Sequence, residues 1–197
     1  MALPSSPVSQ VQVWLFFSLA IGFFAVMIIA LSRSGGGESD ARRNNFSRLG
    51  IILQGLGIGL AGFGPVRMSL PPLSPQALLQ SIAIVVLCGG AITLFAASAR
   101  ALGANWSIVA RTRSDHQLIR SGPYSLIRHP IYLGLLLFLL SLAVALGHFA
   151  QLIVAIPIYL AGTLIRTRIE DRLLETKFGD EFRDYARTTP AIIPKIG

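Results

Sequence analysis

Residues 129 to 165 contain no lysine, arginine, aspartate or glutamate, a run of 37 residues. At ~1.5 Å per residue a single helix of that length would reach about 55 Å, while a bilayer core is about 30 Å thick. The run therefore has to fold back on itself. Gly147-His148 supplies the break and divides it into two spans, 131–147 and 149–165, a tight helical hairpin, with Pro157 a possible kink in the second arm.

Three more apolar blocks precede it. "VWLFFSLAIGFFAVMIIAL" (13–31) and "ALLQSIAIVVLCGGAITLFAASA" (77–99) meet the requirement of about 20 apolar residues. "LGIILQGLGIGLAGFGPV" (49–66) is weaker, with Gln54 inside it. Its Gly55 and Gly59 form a GxxxG spacing, read as a close helix-packing face. The expected fold is thus all-α, a polytopic membrane bundle of about five transmembrane helices. Residues 1–100 form three N-terminal spans with their loops. Residues 101–197 form the second part: a polar loop, the hairpin 131–165 and a cytoplasmic C-terminal tail.

Composition agrees. Only 13% of residues are charged, against roughly 25% in a soluble domain. The net charge of +8 does not read as a nucleic-acid surface, because the basic residues sit between apolar blocks rather than on one soluble face. Residues 1–32 carry no charge, so the positive start of a removable signal peptide is missing, and the first block reads as a retained span. The single cysteine, Cys88, lies in an apolar block and reads as a buried, inert thiol.

Of the 17 lysines and arginines, all but Arg67 fall in the segments 32–48, 100–130 and 166–197. These alternate segments belong on one side, the cytoplasmic one. The expectation is a multi-pass protein of the bacterial inner membrane, N-terminus outside, with the C-terminus and the polar segments flanking the hairpin cytoplasmic. The proline-containing loop 67–76 becomes a rigid outer turn, and "SGGGES" (34–39) a flexible inner linker.

This topology brings Arg128-His129 and Arg166–Glu170 to the same membrane face. His129 can donate and accept hydrogen bonds near neutral pH. Tyr124 and Tyr132 offer faces that stack on a base or attract a cation. Glu170 and Asp171 can accept from hydroxyl or ammonium groups, and Arg166 can grip a carboxylate through two parallel hydrogen bonds. Each residue also has an ordinary reading. Arginine and tyrosine at span ends anchor a helix at the interface, and Arg166 with Glu170 is the spacing of a solvated i,i+4 ion pair.

The stretch "HQLIRSGPYSLIRHPIYLG" (116–134) resembles the cofactor motif of the isoprenylcysteine carboxyl methyltransferase family, shared loosely with membrane phospholipid methyltransferases. "RTRIEDRLLETKFGDEFRDYARTTPAIIP" (166–194) resembles that family's C-terminal motif. Together the two cover nearly half the chain, roughly 105 to 194. The resemblance implies S-adenosyl-L-methionine as methyl donor without a Rossmann domain, and no GxGxxG follows a strand here. It implies that His116, Gln117, Leu118 and Ile119 run along the cofactor, that Tyr124, His129, Pro130, Ile131 and Tyr132 line the same pocket, and that Glu170 closes it. Arg166 would bind the methyl acceptor, and Arg166 and Glu170 are the catalytic candidates. Asp171 stands where the family often has a second glutamate, and Phe182 where it often has tyrosine.

The acceptor so implied is lipophilic, an isoprenylcysteine-like carboxylate that arrives through the bilayer. Such a carboxylate is ionised at pH 7 and needs no general base; an amine would, with Glu170 the first candidate. The task left to the protein is to align nucleophile and methyl at about 3 to 3.5 Å. No metal and no nucleic acid are expected as partners. Three other readings compete: a phospholipid or small-thiol methyltransferase of the same architecture, a nicotinamide-dependent reductase, and a non-enzymatic scaffold or carrier. The last would be expected to carry ionisable residues at mid-span, and Gln54, Gln80 and Gln151 are the few polar residues inside the spans.

Overall fold

A computed structural model describes residues 4–33, 45–103 and 117–193. The expected linker 34–39, His116, Arg42, Arg43, Arg111, Arg113 and Lys195 lie outside these residues. The described chain is helical: α1 (Gln10–Arg33), α2 (Asn45–Ala61), α3 (Pro75–Leu102), α4 (Pro130–Leu146), α5 (Leu152–Phe178) and α6 (Asp180–Thr188), with a 3₁₀ turn at Gly122–Ser125. Among the described residues the one strand pair is a two-residue parallel bridge, β1 (Pro7–Val8) against β2 (Arg67–Met68).

Three helices, α1, α3 and α5, are long and apolar enough to cross a membrane by length and composition; α2 and α4 are shorter apolar helices. α2 and α4, which carry the readings 49–66 and 131–147, have 17 residues each, at the short end of what a span needs. Apolar side chains cover the outside. Trp14, Ile21 and Ile28 recur every seven residues along α1 and are 61–71% exposed.

Local sequence explains where the helices begin and end. Ser9 and Gln12 cap α1 reciprocally: Val11 N–H donates to Ser9 Oγ at 3.3 Å, and Ser9 N–H donates to Gln12 Oε1 at 3.1 Å. Ser74 accepts from Ala77 N–H ahead of Pro75, a cap worth about 1 kcal/mol. Gly147 closes α4 at φ 72°, and a Cβ there would run into the carbonyl of Ser6, so only glycine fits. Ser6 N–H bonds back to Gly147 O at 2.8 Å, and the bridge to β2 ties the same segment to the loop after α2.

The break at Gly147-His148 is where the sequence places it, but the two arms do not form a tight pair. α4 packs along α3, and α5 along α2. Phe16 and Phe23 of α1, Phe95 of α3 and Phe138 of α4 form one aromatic core, with Phe23 and Phe138 stacked at 4.7 Å. Tyr159 and Ala155 of α5, Leu139 and Ala143 of α4 and Ala61 of α2 form a second buried apolar cluster. α5 also runs through Pro157 without ending and carries the expected second span and the start of the tail as one helix.

The packing glycines differ from the expected pair. A Cβ on Gly55 or Gly59 would meet nothing within 4 Å. A Cβ on Gly57 would lie 2.8 Å from Tyr159 Cβ and 2.9 Å from Ala155 O; one on Gly162 would lie 2.7 Å from Gly50 O. The contact face of α2 therefore runs through Gly50, Gln54 and Gly57, a spacing of four and three, and Gly55 and Gly59 point away from it. Where lipid-like surroundings remove the hydrophobic drive between helices, this backbone approach is what holds α2 to α5.

Candidate active site

α4 begins at Pro130, whose fixed φ suits a first helical turn, so His129 stands at the helix entrance and Tyr132 falls in the first turn. Arg166, Glu170 and Asp171 lie along the far part of α5. The two sets meet. His129 is 5% exposed in its side chain, with Nε2 2.9 Å from Asp171 Oδ1 and Nδ1 3.3 Å from Glu170 Oε2. Burial alone would pull the imidazole's pKa down, but the hydrogen bonds and charges of Asp171 and Glu170 outweigh that and hold it above its ordinary 6.5. An imidazolium donates from both nitrogens, which suits a ring placed between two carboxylates.

Tyr132 OH donates to Glu170 Oε1. Arg166 Nη2 lies 3.4 Å from the same oxygen, and its guanidinium carbon sits 5.0 Å from the Tyr132 ring centroid. The ring of His129 stacks on that of Tyr132 with centroids 5.7 Å apart. Arg166 is buried, at 9% side-chain exposure, so the reading of Arg166 and Glu170 as a solvated surface pair does not hold. The hydroxyl of Tyr159 donates to Tyr132 O at 2.7 Å and fixes the first turn of α4 against α5.

The C-terminal segment is strapped over this cluster. Arg128 and His129 donate their backbone N–H groups to Pro190 O and Ala191 O, each at 2.9 Å. The Arg128 guanidinium reaches Asp171 Oδ2 at 2.8 Å, Ala186 O at 3.2 Å and Thr189 O. Tyr185 OH donates to Tyr124 O at 2.5 Å, and Arg120 pairs with Glu181 at 2.8 Å.

Of the sequence candidates, His129, Tyr132, Arg166 and Glu170 form one hydrogen-bonded group. Tyr124 is buried beneath α6 and close enough to Glu170 to feel its charge. Pro130 is fully buried. Ile131 packs against the apolar core of α1, α3 and α4, away from the polar group. Leu118 and Ile119 are half-buried and Gln117 is exposed, while His116 falls outside the described residues. Sequence reasoning missed Arg128 as a clamp and Asp171 as a partner of His129. It also missed Gln54 and Thr163, which contact each other at 2.9 Å beside Arg166. A lone glutamine in an apolar block was the only sequence signal for that contact.

Residues 82–176 match the family model of the isoprenylcysteine carboxyl methyltransferase (ICMT) family. Over that stretch the chain is similar to the ICMT family. Protein-S-isoprenylcysteine O-methyltransferase of Schizosaccharomyces pombe is 30% identical over 118 residues, 59% of this chain and 50% of that protein. The Saccharomyces cerevisiae protein of the same description is 30% identical over 96 residues, 48% of this chain and 40% of that one. The cobalt-zinc-cadmium resistance protein CzcN of Cupriavidus metallidurans is 40% identical over 87 residues, 43% of this chain and 38% of that protein. The matches thus span about two fifths to half the length of these relatives. The ICMT stretch contains α4, most of α3 and most of α5, hence every member of the polar group except those supplied by α2 and by the C-terminal strap.

Proposed function

We propose that the chain is an integral membrane methyltransferase that moves a methyl group from S-adenosyl-L-methionine to a lipophilic acceptor, the carboxylate of an isoprenylcysteine-like molecule. The observation that carries this reading is the buried Arg166. It holds a permanent positive charge at the polar end of an apolar bundle, between the Tyr132 ring and Glu170. A planar guanidinium is suited to hold a carboxylate in one orientation.

The chemistry of the residues fits the donor. Glu170 and Asp171 keep 23% and 24% of their side chains exposed and can accept from ribose hydroxyls or an ammonium group. S-adenosyl-L-methionine, when bound, supplies an electrophilic methyl whose S–C bond breaks as the new O–C bond forms, leaving a thioether and a methyl ester with no proton to move. Arg166 orients the acceptor oxygen, and the apolar walls exclude water from it. His129 and Tyr132 keep Glu170 aimed. A carboxylate already engaged by His129, Tyr132 and Arg166 is a poor proton acceptor, which favours an ionised acceptor over an amine.

The membrane arrangement belongs to the same proposal. α1 to α5 cross or enter the bilayer as five segments, with the N-terminus outside and the site cytoplasmic. The short α2 and α4 are accommodated between longer neighbours, and the basic residues gather at the end where Arg128, Arg166 and α6 lie.

The test separates binding from turnover. Glu170→Gln should weaken S-adenosylhomocysteine binding. Arg166→Ala should bind it nearly as wild type while losing methyl transfer to N-acetyl-S-farnesylcysteine, and Arg166→Lys should restore little. Wild-type transfer by Arg166→Ala would mean that the acceptor carboxylate is held elsewhere.

A further inference from the structure

Arg166 is held from a second side by a helix outside the ICMT stretch. Gln54 of α2 is 4% exposed. Its amide uses both ends: Nε2 donates to Thr163 Oγ1 at 2.9 Å, and Oε1 accepts from Arg166 Nη1 at 3.4 Å. Thr163 and Arg166 are three residues apart on α5, so one amide from α2 bridges consecutive turns of the same face. Arg166 can only donate, so it draws the amide oxygen toward itself and leaves Nε2 to Thr163, which accepts. With the amide reversed, two sets of N–H donors would oppose each other.

The backbone is arranged around that bridge. Gly50 and Gly57 flank Gln54 by four and three residues, and Gly162 adjoins Thr163. A Cβ on Gly162 would lie 2.9 Å from Gln54 N, and one on Gly57 would lie 2.9 Å from Tyr159 N. Side chains at these positions would push α2 off α5 and lengthen an Arg166 contact that is already 3.4 Å. The charges are also informative. Glu170 pairs with Arg166 and is shared with His129 and Tyr132. Gln54 supplies an acceptor without a second negative charge, so Arg166 stays positive toward an anionic ligand.

We propose that Gln54, set by Thr163, is the positioning residue that aims the Arg166 guanidinium at the acceptor carboxylate and, being neutral, preserves its selectivity for an anion. This rests on the acceptor role proposed for Arg166. Gln54→Glu keeps the shape of the side chain and adds a charge that competes with the acceptor. Gln54→Leu removes the amide but keeps its bulk, and Thr163→Val frees the amide to turn.

The measurement is KM for N-acetyl-S-farnesylcysteine in the purified full chain, beside the Kd for S-adenosylhomocysteine by calorimetry. Gln54→Glu should raise the acceptor KM by about 10- to 150-fold, the range expected for a hydrogen bond to a charged group. Gln54→Leu and Thr163→Val should raise it less, about fivefold or more. The Kd should stay within about threefold in all three. An unchanged acceptor KM in Gln54→Glu overturns the inference. Equal losses of acceptor and S-adenosylhomocysteine affinity in the variants also overturn it, since that marks a role in folding alone. Should Gln54→Glu not fold, Thr163→Val decides by the same two readings. Arg166→Ala, measured alongside, keeps the two ideas apart. If it leaves the acceptor KM unchanged, the reading of Arg166 fails. If it raises KM while Gln54→Glu and Thr163→Val do not, only the role of Gln54 fails.

Discussion

Gly162 of α5 and Gly50 of α2 meet backbone to backbone: a Cβ on Gly162 would lie 2.7 Å from the carbonyl oxygen of Gly50. That approach sits one helical turn before Arg166, so it sets how deeply the guanidinium enters the bundle.

Gly162→Ala should therefore cost about 1–3 kcal/mol through overpacking and reduce methyl transfer with it. Gly55→Ala and Gly59→Ala, whose new methyls meet open space, should be neutral or stabilise by up to about 1 kcal/mol through helix propensity. Thermal unfolding of the three variants in one detergent checks the contrast. Equal destabilisation by all three would place the helix contact elsewhere.

His129 makes stability depend on pH. Its folded pKa lies above its ordinary 6.5 because Asp171 and Glu170 outweigh burial. The proton is thus bound more tightly in the folded state. The resulting stabilisation is complete below about 6.5 and is lost as pH rises through the raised folded value, with a slope of at most about 1.4 kcal/mol per pH unit. His129→Gln should flatten that decline. Denaturation followed from pH 6 upward in wild type and variant reads it, and parallel curves would show that His129 does not titrate differently on folding.

Arg128 should act as the clamp of the strap 186–191. Arg128→Ala removes its contacts with Ala186 O, Thr189 O and Asp171. The group is partly exposed, so a loss of about 1–3 kcal/mol is expected rather than the full cost of a broken buried pair. Amide hydrogen exchange at residues 185–191 should accelerate about tenfold or more, before that of α3 or α4. Arg128→Lys should restore the ion pair with Asp171 but not both carbonyl contacts. Exchange rising uniformly along the chain in Arg128→Ala would point to global destabilisation instead.

Orientation is open to a direct assay. A C-terminal fusion to a reporter active only outside the cytoplasm should be silent, and one active only inside should work, because 16 of the 17 basic residues lie in the segments assigned to the inner face. The reverse pattern would invert the topology.

The helical class, the fold-back at Gly147-His148 and the convergence of His129 with Glu170 were all legible in the sequence. Charge-free runs are costly to place anywhere but in an apolar setting, and a glycine between two such runs has one economical reading. The motifs at 116–134 and 166–194 named Tyr132, His129, Arg166 and Glu170 without any geometry. Rotation of each helix about its axis was not legible. Gly55 and Gly59 had the expected spacing, yet α2 turns Gly50, Gln54 and Gly57 toward α5, because that face also lets a glutamine meet Thr163 and Arg166 instead of remaining unpaired in an apolar interface. Asp171 followed the same rule: next to Glu170 in sequence it points some 100° away around a helix, and only the placement of α4 against α5 lets one imidazole reach both. Composition and spacing determine which segments are helices and which ends share a side. Side-chain pairing across helices far apart in the chain depends on packing, and packing is decided only when all the helices are in place.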